Sequence, residues 1–93
     1  MTYCFDLDGT LTRSVKANGA WVSEYLPYRI SVVNKLYDDG HTIIIHTARK
    51  WADLMVTLSQ LRLNGVKYHT IVMGKPVADC YIDDKGTNDV DFF

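Results

Sequence analysis

Short apolar runs alternate along the chain with segments of helical period. The run from Thr2 to Asp6 reads as a buried strand that ends on an acid. From Pro27, a residue suited to the first helical turn, Ile30, Val33, Leu36 and Tyr37 recur on one face of a helix that Gly40 stops. Thr42 to Thr47 contains Ile43-Ile44-Ile45, apolar on both faces, as expected of a central parallel strand covered by helices on both sides. A second helix is predicted from Arg49 to Asn64, with Trp51, Leu54, Met55, Leu58 and Leu61 as its apolar face and Asn64-Gly65 as its end. Tyr68 to Met73 reads as a third strand and Asp79 to Asp83 as a fourth. Residues 13–26 carry Asn18-Gly19 in their middle and few apolar residues besides Val15, Trp21 and Val22, which describes a turn-rich flap. The pattern predicts βαβ units: an α/β three-layer sandwich with a mostly parallel sheet of about four strands.

Gly74-Lys75-Pro76, between the last two strands, is too short and broken for a helix. A fourth strand beyond the first requires a diagonal crossing of about 22 Å, against ~26 Å for eight extended residues. The crossing is taut and should draw Lys75 over the carboxyl edge of the sheet.

The chain has 93 residues, 47% of them hydrophobic, which suits one small domain over residues 1–93. Lys and Arg number 10 against 11 Asp and Glu, with no basic run, so long nucleic acid is not favoured as a partner. With no charged leader and no apolar run near the ~18 residues of a membrane span, the expected location is cytoplasmic. Cys4 and Cys80 are too few for a disulfide framework or a zinc set and read as two buried reduced thiols.

The chemistry lies where apolar runs break into acids. Asp6 and Asp8, at i and i+2 before Gly9, fall at the carboxyl end of the first strand, where open α/β sheets place their ligands. Asp83-Asp84 ends the fourth run in the same way. Two such edges side by side make an oxygen-ligand metal site, suited to Mg²⁺. In order, the polar residues at strand ends are Asp6 and Asp8, Thr47, Lys75, then Asp83 and Asp84. This order resembles the haloacid dehalogenase superfamily, with its motifs standing as FDLDGTLT, IIIHTAR, GKP and YIDDKGTND. The match covers nearly the whole chain and implies a minimal Rossmann-like core.

The resemblance implies a Mg²⁺-dependent phosphomonoester hydrolase acting through an aspartyl-phosphate on a small phosphorylated metabolite, a sugar phosphate or nucleotide. It makes Asp6 the nucleophile and a metal ligand. Asp8 becomes the general acid and then base, its backbone carbonyl on the metal. Thr47 would hold a phosphoryl oxygen with the backbone N–H groups of Leu7 and Ala48, and Lys75 would neutralise phosphate. Asp84 is the first choice for a further metal ligand, Asp83 its support, and Asn88 or Asp89 would stand behind them. A carboxylate approaching a phosphate meets repulsion on the order of 4 kcal/mol per unit charge pair at ~4 Å, so cations are needed. Asp8 as an acid needs a raised pKa, which neighbouring carboxylates favour and Mg²⁺ opposes.

Neither gap between motifs is long enough for a cap domain, so the site should be open, or covered by a neighbouring subunit in a homo-oligomer. The terminal Val90-Asp91-Phe92-Phe93 is apolar surface that must be buried, which hints at such a contact. Arg49, at the mouth of the second helix, is a candidate substrate contact, as is Lys50. Trp21 and Tyr25 read equally as core or as a stack on the leaving group. His46 reads as a packed strand residue, and His41 and His69 as surface or turn residues. A response-regulator receiver has these residue types in a different order, and Asp8 marks the phosphatase branch rather than the dehalogenases. The remaining alternative is a non-catalytic Mg²⁺-binding module or subunit that acts through a partner.

Overall fold

The computed structural model describes all 93 residues, Met1–Phe93. In chain order it contains strands β1 (Thr2–Asp6), β2 (Thr12–Ala17) and β3 (Ala20–Tyr25), helix α1 (Pro27–Asp38) and strand β4 (Thr42–His46). A 3₁₀ turn (Trp51–Asp53), helix α2 (Leu54–Leu63), strand β5 (Thr70–Val72) and helix α3 (Asp89–Phe92) follow. β1, β4 and β5 form a parallel sheet in the order β1-β4-β5, while β2 and β3 form a separate antiparallel hairpin. The register pairs Asp6 with His46, and His46 with Val72, so the three strands end level and present one carboxyl edge.

The core follows from strand alternation. Phe5, Ile43 and Ile45 point to one face, where Ile30 and Val33 of α1 and Leu61 of α2 meet them, together with Leu7, Leu11 and Val66. The opposite positions, Cys4, Ile44 and His46, are exposed or half-buried. Helices therefore cover one face of the sheet, not two, and the expected three-layer sandwich is a two-layer arrangement. Both cysteines are correspondingly exposed rather than buried.

The predicted flap is the β2–β3 hairpin. Asn18 and Gly19 both have positive φ, 51° and 79°, the backbone that a two-residue turn between right-twisted strands requires. The second helix starts later than its apolar pattern suggests. Its buried positions are Thr57 and Leu61, one turn apart, while Trp51 and Met55 face solvent.

The fourth strand does not form: residues 73–88 carry no helix or strand, and Val77 and Ile82 are 89% and 96% exposed. Chain length bars a strand from its expected start at Asp79. The Lys75 N–H donates to the Thr47 carbonyl at 2.8 Å, which fixes Lys75 at the carboxyl end of β4. Only four residues then lead to Asp79, a reach of ~14 Å. A parallel strand beyond β1 starts two strand gaps away and one strand length down the sheet, about 19 Å distant.

The aromatic C-terminus is packed within the chain, which removes it as a pointer to an oligomer. Phe92 lies 5.9 Å from Tyr3 and 5.4 Å from Phe5, and Phe93 lies 5.8 Å from Phe5, ring centre to ring centre. Arg29 ties the segment down: its guanidinium bonds Asp89 at 2.7 Å and the Thr10 carbonyl at 2.9 Å, and lies over the Phe93 ring at 4.8 Å. The Arg29 hydrogen bond holds the Asp89 carboxyl below its ordinary pKa. A depressed carboxyl pKa contributes stability that is complete above the unfolded value and lost as pH falls through the folded one. Arg29→Met is therefore expected to lower stability at neutral pH by about 1–2 kcal/mol in urea denaturation, with the difference from wild type shrinking at acid pH. A pH-independent difference would assign the loss to packing over Phe93 instead of to the ion pair.

Candidate active site

The carboxyl edge collects its polar residues through the backbone. Leu7 N–H donates to the His46 carbonyl at 3.2 Å and Thr47 N–H to the Val72 carbonyl at 2.9 Å, so the sheet pairing runs one residue beyond the strands. Gly74 N–H bonds the Arg49 carbonyl at 2.8 Å beside the Lys75–Thr47 bond. Together these bonds bring Asp6, Thr47, Arg49 and Lys75 to one edge. Gly9, with φ 82°, then turns the chain sharply after Asp8, a conformation that L side chains rarely adopt.

Asp6 is half-buried, and its charged partner is the Lys75 ammonium, 3.9 Å from Oδ1. No chain group donates a normal hydrogen bond to its carboxylate, so its lone pairs are free. Lys75 reaches this place as the sequence suggests, although hydrogen bonds to residues 47 and 49 put it there instead of a taut crossing. Its Nζ also lies 4.0 Å from the centre of the Tyr81 ring. Thr47 is 1% exposed, and its Oγ1 accepts the Arg49 N–H at 3.1 Å.

Asp8 is held quite differently. The Arg49 guanidinium grips it in a two-pronged ion pair, Nε to Oδ2 and NH2 to Oδ1, both at 2.8 Å. Thr12 and Ser23 hydroxyls donate to Oδ1 at 3.3 and 3.4 Å. Arg49, with a side chain 17% exposed, is itself fixed by NH1 bonds to Gln60 Oε1 at 2.7 Å and Thr57 Oγ1 at 3.3 Å. The Tyr25 hydroxyl also donates to Gln60 Oε1, at 3.2 Å. The Arg49 hydrogen bonds hold the Asp8 carboxyl below its ordinary pKa and raise that of the guanidinium in turn. An ionised Asp8 is thus the resting state, where sequence reasoning left two opposing influences open.

Two expected contributions are not realised. The Leu7 N–H is already used by His46, so Leu7 cannot offer it to a phosphate. The free edge donors are the N–H groups of Asp8 and Ala48, neither bonded within the chain. Asp83 and Asp84 lie in the irregular segment, where Asp83 Oδ1 accepts the Lys85 N–H at 2.7 Å, and no three carboxylate, His or Cys groups gather into a ligand set. Ser23, Thr12 and Gln60 were not singled out from sequence. Ser23 and Thr12 lie on the alternate positions of β2 and β3, but which hairpin face meets Asp8 depends on how the hairpin docks. His46, half-buried on the uncovered face, has its pKa lowered by burial and by Lys75. His69 does more than turn the chain: Nδ1 accepts the Ile43 N–H at 3.0 Å and the ring stacks on Tyr37. Trp21 is 70% exposed, with Lys16 over its ring.

A family model described as haloacid dehalogenase-like hydrolase matches residues 3–89. No curated protein matches the chain. Among solved structures, a crystal structure of a protein from Vibrio cholerae is similar over 98% of this chain and 85% of that one, with 25% identity and a TM-score of 0.70.

The ion pair predicts a measurable shift. In Arg49→Met, the Asp8 carboxyl loses its strongest donor and is expected to titrate at higher pH, as followed by carboxyl-carbon NMR. Arg49→Lys should restore only part of the effect, because an ammonium cannot engage both oxygens with a planar fork. An Asp8 midpoint indifferent to both changes would remove Arg49 as the cause.

Proposed function

The chain belongs to the haloacid dehalogenase-like hydrolase family, and from that premise we propose that it hydrolyses phosphate monoesters of small metabolites. Asp6 would be the nucleophile and Asp8 the acid and base. The observation that supports this best is the unequal engagement of two carboxylates on one strand edge. Asp6 is open, half-buried and 3.9 Å from a lysine ammonium. Asp8 has both oxygens bound by Arg49, which holds them in place.

In the proposed reaction an Asp6 oxygen attacks phosphorus, the bond to the leaving oxygen breaks, and an aspartyl-phosphate forms. The leaving oxygen takes a proton from Asp8, which must first have received one and drawn away from Arg49. The resulting Asp8 carboxylate then accepts a proton from the water that attacks the intermediate and frees Asp6. Lys75 would screen the repulsion between Asp6 and phosphate. Thr47 Oγ1 and the N–H groups of Asp8 and Ala48 would hold the spread negative charge.

We propose Mg²⁺ as the cofactor. The donors at the edge fit it, since Mg²⁺ keeps several waters and needs only one or two protein oxygens, which the free Asp6 carboxylate and the Asp8 carbonyl would provide. Bound there, the ion would supply further charge neutralisation. Asp83 and Asp84 would join only if their segment moved toward β1. A non-catalytic Mg²⁺-binding role draws on that same separation.

Turnover decides between the two. The wild type with Mg²⁺ is expected to hydrolyse an aryl phosphate, to lose this on chelation, and to fall on the order of 10³-fold or more in Asp6→Asn. Asp8→Asn should reduce alkyl phosphate hydrolysis by about 10²–10⁴-fold and aryl phosphate hydrolysis less, because a phenolate leaves without much help from an acid. A wild type that binds Mg²⁺ yet turns over no phosphate ester would establish the non-catalytic role.

A further inference from the structure

Between the hairpin and α2 lies a cleft of about 420 Å³, with the Asp8 carboxylate and Arg49 in its wall. We infer that this cleft is the leaving-group subsite and that it takes a neutral polyhydroxylated alcohol, the part released from a sugar or sugar-alcohol phosphate. The inference rests on the phosphomonoesterase reading, because the group that protonates the leaving oxygen must face the leaving group, and that group is Asp8.

The lining sets the chemical class. Small-molecule sites of roughly 300–1,000 Å³ are mostly apolar, but this cleft has a single hydrophobic residue, Val56. Ser14 and Ser23 are directly opposite in the β2–β3 register, so both hydroxyls project from one hairpin face into the cleft. Gln60 faces them from α2, and Asp53, at the end of the 3₁₀ turn, also lines the cleft. The Ser14 hydroxyl makes no bond within the chain and can donate or accept, and Ser23 Oγ can still accept. The Gln60 amide N–H groups can donate while its Oε1 is held by Arg49 and Tyr25. Together these groups match the paired donor and acceptor character of sugar hydroxyls. Charge argues against an anionic leaving group. Asp8 and Asp53 set two carboxylates against the one guanidinium of Arg49, whose charge Asp8 already meets in a two-pronged pair. A nucleoside fits poorly as well, since no aromatic ring lines the cleft for a base to stack on. Trp21, two residues from Ser23 on β3, is outside it.

The test compares four esters with Mg²⁺: a hexitol phosphate, a nucleoside 5′-monophosphate, a carboxylated three-carbon phosphate and phenyl phosphate. The wild type is expected to show kcat/KM for the hexitol ester at least tenfold above the nucleotide and the carboxylated ester. Ser14→Val and Asp53→Leu, at exposed positions, are each expected to lower the hexitol-to-phenyl ratio about tenfold. Preference for the nucleotide that disappears in Trp21→Ala, preference for the carboxylated ester, or equal losses on hexitol and phenyl esters would overturn the inference. The same protein is titrated with unphosphorylated hexitol while the Gln60 side-chain amide and the Ser14 and Ser23 backbone amides are followed by NMR. If no ester is hydrolysed, the phosphomonoesterase reading fails alone when hexitol shifts these signals in wild type and not in Ser14→Val. Unmoved signals would overturn the subsite as well.

Discussion

Everything at the site depends on backbone hydrogen bonds that continue the parallel pairing past the ends of the strands. Parallel strands present their carboxyl ends on one side, and here the register aligns Asp6, His46 and Val72 in a row. The bonds from Leu7 to His46, Thr47 to Val72 and Lys75 to Thr47 carry that order into the loops. These N–H and C=O groups sit beside the buried Leu7 and Thr47, where an unpaired polar group is costly. The positions of the nucleophile candidate, the buried threonine and the lysine are therefore one structural fact and not three.

Onto this rigid edge the hairpin and α2 add an electrostatic asymmetry. Both carboxylates come from one short motif, yet one has free oxygens and the other has none. Arg49 makes the difference, and it can do so because Gln60 and Thr57 occupy its remaining nitrogen and prevent it from turning to solvent. A guanidinium that is already fixed loses little freedom when it pairs with a carboxylate. The ion pair is partly shielded, so its effect on Asp8 exceeds what a fully exposed pair would give. The same pair forms one wall of the cleft beside Asp8, which connects the state of the acid to the place where a leaving group would lie.

Much of this was legible in the sequence. Acids, threonine and lysine at the ends of apolar runs are local signals, and β1, α1 and β4 fall where the pattern puts them. The Asn18-Gly19 turn also announces the hairpin. The misreadings concern long-range geometry. Ile43-Ile44-Ile45 is apolar at every position, but only the two residues that face α1 and α2 are buried; the composition of a strand cannot tell how many faces are covered. Met55 and Trp51 share an apolar pattern with Leu61, yet of these only Leu61 joins the core, and the other buried position of the helix, Thr57, faces Arg49. Arg49 was legible as a cation near the site, and its bond to Asp8 was not, because the partner is 41 residues away.

The missing fourth strand comes from competition for a short stretch of chain. Lys75 is fixed to Thr47 by its backbone and neutralises Asp6 with its side chain. A strand beyond β1 that begins at Asp79 would start about 19 Å from the end of β4, and the four residues from Lys75 to Asp79 reach only ~14 Å. The Lys75–Thr47 bond and a full strand over residues 79–83 therefore exclude each other. The chain retains the first because two backbone bonds and a half-buried ion pair form at once, whereas strand pairing would order some ten residues at about 1–2 kcal/mol each before its gains appeared. A cation that drew Asp83 or Asp84 toward Asp6 would have to offset the cost of ordering the segment, while the ~26 Å reach of the eight residues from Lys75 to Asp83 leaves the lysine's anchor in place.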